Sequence, residues 1–235
     1  MDLRDRLIDA GVDLVMTDGA ASLGLREIAR RAGVSHGAPR RYFPTHHALL
    51  SAIARRGFAD LTARFVAAAD GEVAPRDQLR ALARVYVGYA LECRGMFELM
   101  FRHDLLDSEQ HSADSPRLRE STLPLFEHVV ALVTRHQSER GATHRPGPHG
   151  GTGPHGEVGP RGEAGPPPEV TAAALWANLH GVAQLWAWGS LPLALAAPPP
   201  GDAPGGGASG DAPGSDPLDE LVAAALDAHL GPVGS

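Results

Sequence analysis

A short stretch near the N-terminus concentrates arginine side chains that could bind phosphate groups. Residues 26 to 47 contain five arginines and a single acid, Glu27, although the whole chain has a formal net charge of -7. Guanidinium groups bind phosphate oxygens through their charge and through paired hydrogen bonds. Because nucleic-acid binding depends on where the basic residues lie, this cluster indicates a DNA contact on an otherwise acidic protein.

Side chains that could carry a reaction or hold a metal form no recognisable group in the sequence. Cys93 is the only cysteine, and its apolar neighbours predict a buried, inert thiol. The histidines at positions 144, 149 and 155 lack the supporting carboxylates or thiolates of a metal site. The chain contains no lysine, which excludes a Gly-rich phosphate loop with its lysine. We therefore expect no enzyme activity, no cofactor and no metal.

Two short helices must position the arginine cluster. Apolar residues recur at helical spacing from Leu25, and Gly33 can adopt the left-handed conformation that closes such a helix. Ser35 is a suitable N-cap for a further helix that reaches Phe43, and Pro44 ends it. With a preceding amphipathic helix packed across them, these elements predict a helix-turn-helix, whose second short helix enters the major groove.

Helical periodicity continues along the rest of the chain and predicts an all-α fold of about nine helices. We expect a three-helix helix-turn-helix domain over residues 1–47 and a larger helical domain over residues 48–235. Thr45 is predicted to cap the long first helix of the second domain. Further helices are predicted from Pro75, near residues 96–103 and 118–140, and over residues 217–230.

Two segments interrupt this pattern and are predicted to be flexible loops. In residues 141–168 a glycine occurs at every third position from 147 to 165, which is collagen-like spacing. Seven triplets are too few for a stable triple helix without a trimer, so a low-complexity loop is the favoured interpretation. The second segment, residues 198–215, is rich in Gly, Pro, Ala and Asp.

The segment from residue 170 to residue 197 contains no charged side chain. A run of this length could span a membrane, but polar residues interrupt it, so we favour a helix buried on both sides, against its own core and a second subunit. With one cysteine and no visible secretory signal, we expect the protein in the cytoplasm.

The sequence from Gly24 to Phe43, GLREIARRAGVSHGAPRRYF, closely resembles the TetR family of bacterial transcriptional regulators. The similarity covers about residues 3 to 60. The spacing Trp-x-x-x-His-Gly, ending at Gly181, resembles the C-terminal domain of one branch of the family. This resemblance implies a homodimeric repressor that binds a near-palindromic DNA operator and is released from it by a small apolar ligand. The alternative is a DNA-binding regulator without a small-molecule effector that recruits a protein partner through its loops.

The resemblance also implies which side chains lie at the DNA. Arg40 occupies a position where the family usually has a tyrosine, and His46 one where it usually has a lysine. Arg30 and Arg31 are instead predicted to lie on a solvated helix face. The predicted DNA-binding residues are Arg26, Ser35, His36, Gly37, Ala38, Pro39, Arg40, Arg41, Tyr42 and His46.

Aromatic and methionine side chains in the C-terminal part could line an apolar ligand pocket, with His180 as a polar anchor. The same residue types at helical spacing are also typical of a packed core, and this alternative stays open for each of them. The predicted pocket residues are Met96, Phe97, Met100, Phe101, Trp176, His180 and Trp186.

Overall fold

The computed structural model describes residues 2–102, 106, 119–143, 165–197 and 216–233. Within these ranges the chain forms ten α-helices, one short 3-10 helix at Ala20–Ser22 and no strand, so the predicted all-α class is confirmed. None of the described helices has the length and apolar character needed to cross a membrane. The helices are α1 Leu3–Asp18, α2 Leu25–Arg31, α3 Pro39–Tyr42, α4 His46–Ala69, α5 Pro75–Glu92, α6 Arg94–Met100, α7 Arg119–Thr143, α8 Pro168–Ala187, α9 Ser190–Ala194 and α10 Pro217–Leu230.

The predicted loops fall mostly on residues outside the described ranges. Residues 144–164 and 198–215 are not described, whereas residues 141–143 belong to α7 and not to a loop. The uncharged segment that starts at residue 170 forms two helices, because Gly189 adopts a left-handed conformation with φ 79° between α8 and α9. This break accounts for the one helix beyond the nine that were predicted.

Local signals fix several helix ends as expected. Gly33, two residues beyond the end of α2, has φ 68°, and the Val34 N–H donates to the Ala29 carbonyl at 3.0 Å, which turns the chain away from the helix axis. Thr45 caps α4 by accepting the Ala48 N–H on its hydroxyl at 3.0 Å. These bonds satisfy backbone groups that a helix end leaves without intrahelical partners.

The third helix is shorter than the sequence predicts. Regular helix begins at Pro39 and not after Ser35, and the intervening residues form a turn in which the Ala38 N–H donates to the Ser35 carbonyl at 2.9 Å. The predicted start of this helix after Ser35 was therefore wrong, and seven residues separate α2 from α3. Proline explains the difference, since it has no N–H to donate to the carbonyl four residues earlier and is favoured at the first helical position.

Helices α4 and α5 lie at the centre of the fold. α4 packs against α1, α5, α6 and α7, while α5 packs against α4, α6, α7, α8 and α10. The buried side chains form one continuous cluster that extends from Leu7 in α1 to Leu230 in α10. The helices that carry the arginine cluster and those of the C-terminal part therefore share a core.

Three glycines bring α1, α4 and α6 into close contact, and we call Gly11, Gly57 and Gly95 the glycine junction. A β-carbon at Gly11 would overlap the Ile53 side chain in α4, and one at Gly95 would overlap the Val15 carbonyl oxygen of α1. At Gly57, a β-carbon would lie 2.7 Å from side-chain atoms of α6. At Gly95 the overlap is with backbone, so α1 and α6 are closer than a residue with a β-carbon would allow, whereas at Gly11 and Gly57 a β-carbon would displace neighbouring side chains.

Gly95→Ala tests this packing. The added methyl meets backbone and not a movable side chain, so we expect the free energy of unfolding to fall by about 1–3 kcal/mol. The control is Gly88→Ala in α5, where a β-carbon meets nothing within 4 Å. Alanine at this control position should raise the stability by roughly 0.5–1 kcal/mol through helix propensity. Urea unfolding at one fixed protein concentration measures both, and equal effects would contradict the close contact.

Candidate DNA-binding surface and ligand cavity

The segment between α2 and α3 forms an exposed surface together with one side of α3. Ser35, His36 and Gly37 are exposed in the turn, and Arg40 and Arg41 are exposed on α3. Tyr42, at the end of α3, and Arg26, at the start of α2, are exposed as well. The structure therefore brings seven of the ten predicted DNA-binding residues to the surface on neighbouring elements.

The other three predicted residues are less available. Pro39 is the buried first residue of α3, so it offers no side chain to DNA in this conformation. Ala38 is half-buried. His46 is partly buried at the start of α4, and its Nε2 donates to the Leu23 carbonyl at 2.6 Å, since a carbonyl can only accept. This bond ties α4 to the segment that precedes α2.

Two arginines of α2 are engaged by acids. Arg30 forms an exposed ion pair with Glu27 one turn earlier, and this hydrogen bond is the main cause that lowers the pKa of the Glu27 carboxyl. Arg31 lies 2.7 Å from a carboxylate oxygen of Asp13 and 3.1 Å from one of Asp18. Their assignment to a solvated face, away from the DNA-binding set, is consistent with these contacts.

No acid pairs with Arg26, Arg40 or Arg41 in the described part of the chain, in contrast to Arg30 and Arg31. Among the residues that the structure describes, none of the three has an ion pair or a hydrogen bond through its side chain. On a chain with more acids than bases, this leaves three exposed positive charges without a compensating partner among the described residues. Such charges can neutralise phosphates and release their counterions.

Two further arginines, which the sequence interpretation did not include, hold this surface in place. Arg6 of α1 donates to the Ala32 carbonyl at the end of α2 at 2.6 Å. Arg4 places its guanidinium 5.3 Å from the ring centre of Phe43, directly after α3. No signal in the sequence indicates these roles, because the partners of both arginines are distant in sequence.

A cavity of about 350 Å³ lies among the C-terminal helices. Its described lining contains no Asp, Glu, Arg or His, and its polar side chains are Tyr86, Thr122 and Trp176. The apolar lining includes Phe58, Leu61 and Phe65 of α4 and Leu79 and Leu82 of α5. This volume is at the lower end of the range for pockets that hold drug-sized molecules.

One hydrogen-bonded chain of side chains borders the cavity. The Trp176 indole N–H donates to the Tyr86 hydroxyl oxygen at 2.9 Å, and the same hydroxyl lies 2.9 Å from Nδ1 of His180. The His180 ring stacks on Phe97 at 5.3 Å. Burial lowers the pKa of His180 and raises that of the Tyr86 hydroxyl, so both groups are neutral near pH 7.

The cavity only partly coincides with the predicted pocket. Phe101 and Trp176 line it, whereas Met96, Phe97, Met100, His180 and Trp186 are not among its lining residues. Met96 and Met100 instead fill the space that Gly57 leaves on α4. Trp186 is buried ten residues beyond Trp176, which is about 15 Å along a helix. Tyr86 and the lining of α4 and α5 were missed, because their helical spacing reads as ordinary core.

Comparison with known proteins places this arrangement in a family. The pattern of the bacterial regulatory proteins of the tetR family matches residues 7–53, and that of the tetracyclin repressor-like C-terminal domain matches residues 79–203. The chain belongs to the TetR family of transcriptional regulators. Members of this family are generally DNA-binding repressors, which agrees with the exposed arginines of α3.

Individual proteins are similar to the chain over part or nearly all of its length. The HTH-type transcriptional regulator BetI of Rhizobium meliloti (strain 1021) is 35% identical over 82 residues, which are 35% of this chain and 40% of that protein. A protein of unknown function from Rhodococcus sp. RHA1 has 27% identity and a TM-score of 0.64, over 98% of this chain and 94% of the other. A TetR-like transcriptional regulator from Rhodococcus sp. RHA1 has the same fold at 17% identity, with a TM-score of 0.55 over 96% and 94% of the two chains.

The hydrogen bond of His46 to the Leu23 carbonyl can be tested by comparing alanine substitutions at His46 and at the adjacent His47. His46→Ala removes the bond and should lower the free energy of unfolding by about 0.5–1.5 kcal/mol. His47→Ala is the control, because His47 is exposed and adjacent. Chemical unfolding of both variants at fixed concentration checks the difference, and indistinguishable variants would contradict a positioning role for His46.

Proposed function

We propose that this TetR-family chain is a homodimeric repressor that binds a near-palindromic DNA operator and leaves it when a small apolar ligand enters the cavity. The observation that carries the DNA contact is the set of exposed, unpaired arginines at positions 26, 40 and 41, next to paired arginines at positions 30 and 31. The DNA-binding domain corresponds to residues 1–47 and the dimerisation and ligand-binding domain to residues 48–235. We propose that the regulator acts in the bacterial cytoplasm.

The roles of the exposed residues follow from their chemistry. Arg40 and Arg41 on α3, and Arg26 at the start of α2, contact phosphates on either side of the major groove. His36 offers ring nitrogens to base edges. Gly37 has open space where a β-carbon would stand, so its backbone can approach the DNA closely.

A second subunit is required because one short helix reads too few base pairs. The outward face of α8 has the properties of a surface that contacts a second subunit. Val170 and Trp188 are 56% and 63% exposed, Ala177 is exposed and Gly181 is half-buried, and all four lie on one line of the helix. An exposed apolar face without any charged residue is typical of a subunit interface. We propose that α8 packs against its copy through this face.

The cavity supports ligand control of DNA binding. Its lining includes Phe58, Leu61 and Phe65 of α4, and the same helix begins at His46 beside the DNA-binding surface. A ligand changes the equilibrium between two geometries only by its difference in affinity for them, and a nearly complete switch needs roughly a 10⁴-fold difference. We further propose that the chain belongs to the Trp-x-x-x-His-Gly branch, on the spacing of Trp176, His180 and Gly181.

Arg41→Ala tests the DNA contact. Loss of one phosphate contact should weaken binding to every DNA sequence and reduce the slope of log affinity against log salt by about 1. The control is Arg30→Ala, which removes an arginine that is already paired with Glu27, and it should leave the slope unchanged. Fluorescence anisotropy with the DNA that flanks the gene, at several salt concentrations, measures both. An unchanged slope for Arg41→Ala would refute the assigned contact.

Gly181→Arg tests the dimer. A β-carbon at Gly181 meets nothing within 4 Å inside the subunit, so the variant should fold with equal or higher stability. A long charged side chain on this face should weaken dimerisation and operator binding at least tenfold. Gly88→Arg places the same side chain on α5 at another glycine with open space and is the control. Analytical ultracentrifugation over a range of protein concentrations gives the mass of the assembly in solution, and a Gly181→Arg dimer of normal affinity would exclude this interface.

A further inference from the structure

We propose that the cavity selects electrically neutral, mainly hydrocarbon ligands that carry a single hydroxyl or carbonyl group, and that the Tyr86 hydroxyl binds this group. This inference rests on the proposed ligand-controlled function and names the class of ligand. It also replaces His180 with Tyr86 as the polar anchor.

The lining excludes charge. A charged ligand loses its hydration on entry and needs an opposite charge in the wall, but the described lining residues contain no acid and no base with a full charge. His180 cannot supply one, because burial lowers its pKa and the ring does not line the cavity. Entry of an anion or a cation is therefore unfavourable, while apolar surface gains free energy on burial against the aromatic and leucine side chains.

The hydrogen-bond capacity of Tyr86 is incompletely used. A phenolic hydroxyl has one donor and two acceptor sites. The Trp176 indole can only donate, so it occupies one acceptor site, and His180 occupies one further site through Nδ1. One site of the Tyr86 hydroxyl therefore has no partner among the residues that the structure describes.

The tautomer of His180 decides which site is open. If Nδ1 accepts the hydroxyl proton, the open site of Tyr86 is a lone pair that can bind a ligand hydroxyl. If Nδ1 carries its own proton and donates it to the Tyr86 oxygen, the Tyr86 O–H is free to donate a hydrogen bond to a ligand carbonyl. No other hydrogen bond to the His180 ring fixes the tautomer in the described part of the chain. The Tyr86 hydroxyl can therefore hydrogen-bond either a ligand hydroxyl or a ligand carbonyl.

A matched set of probes tests this selection with the full-length chain. 1-Decanol, decanoate and decylammonium have the same carbon skeleton, and at about pH 7.5 only the alcohol is neutral. Isothermal titration calorimetry below the solubility limit of each probe should show that 1-decanol binds at least ten times more tightly than either ion. Tyr86→Phe should weaken the binding of 1-decanol by about threefold to tenfold.

The control variant is Tyr89→Phe on the same helix. The Tyr89 hydroxyl is also buried and donates to the Gly57 carbonyl at 3.3 Å, but Tyr89 does not line the cavity. This variant should bind 1-decanol like the unaltered chain. Equal effects of the two substitutions would overturn the role of Tyr86, since loss of any buried hydroxyl would then explain the result.

The remaining outcomes separate this inference from the function on which it rests. Binding of decanoate or decylammonium as tight as that of 1-decanol would overturn the selection for neutral ligands and leave a ligand-controlled repressor intact. If none of the probes binds while the chain still binds operator DNA, both the selection and the ligand-controlled part of the proposed function are overturned. Preferential binding of 1-decanol that depends on Tyr86 supports both the selection for neutral ligands and the ligand-controlled function.

Discussion

The close contact of α1, α4 and α6 at the glycine junction is the constraint on which the rest of the structure depends. Gly95 sits against the backbone of α1, and Gly57 receives the methionines of α6. α1 and α4 hold the DNA-binding surface through Arg6 and His46, whereas α6 leads directly to Phe101 at the cavity wall. Because protein interiors are close-packed and poorly compressible, a displacement of α6 cannot be absorbed between these helices.

In the proposed function, this packing is the route by which the cavity acts on the arginines of α3. A ligand that moves Phe101 would act on α6, which meets the backbone of α1 at Gly95 and packs its methionines against Gly57 of α4. The effect at the DNA remains limited by the difference in ligand affinity between the two geometries. A second α8 face would then convert a change within each subunit into a change in the spacing of two DNA-binding surfaces.

Much of the fold could be predicted because its signals are local. The left-handed Gly33, the Thr45 cap and the final helix all follow from residues within a few positions of each other. The start of α3 was misplaced although its cause, the missing N–H of Pro39, is also local. There the missing N–H of Pro39, which is favoured at the first helical position, outweighs the favourable N-cap residue at Ser35.

The ligand site was predicted less well, because helical spacing shows that a side chain is buried but not what it is buried against. Met96 and Met100 have the character of pocket residues, yet their location depends on Gly57, about forty positions earlier in the sequence. Tyr86 shows the opposite error, since a tyrosine within an amphipathic helix gives no sign that it will meet Trp176 and His180.

The distribution of charge connects the acidic composition with the DNA contact. Exposed ion pairs contribute only about 0–1 kcal/mol each to stability, so those around α1 and α2 matter little for folding. They do have an electrostatic effect, because Arg31 and Arg56 lie within ion-pair distance of Asp13, Asp18 and Asp9. The carboxylates of Asp9, Asp13 and Asp18, which would repel DNA, are thus partly neutralised by Arg31 and Arg56. The arginines of α3 have no acidic partner among the described residues and can therefore bind phosphates. An acidic regulator can bind a polyanion because its charges are paired selectively, not because it has an excess of bases.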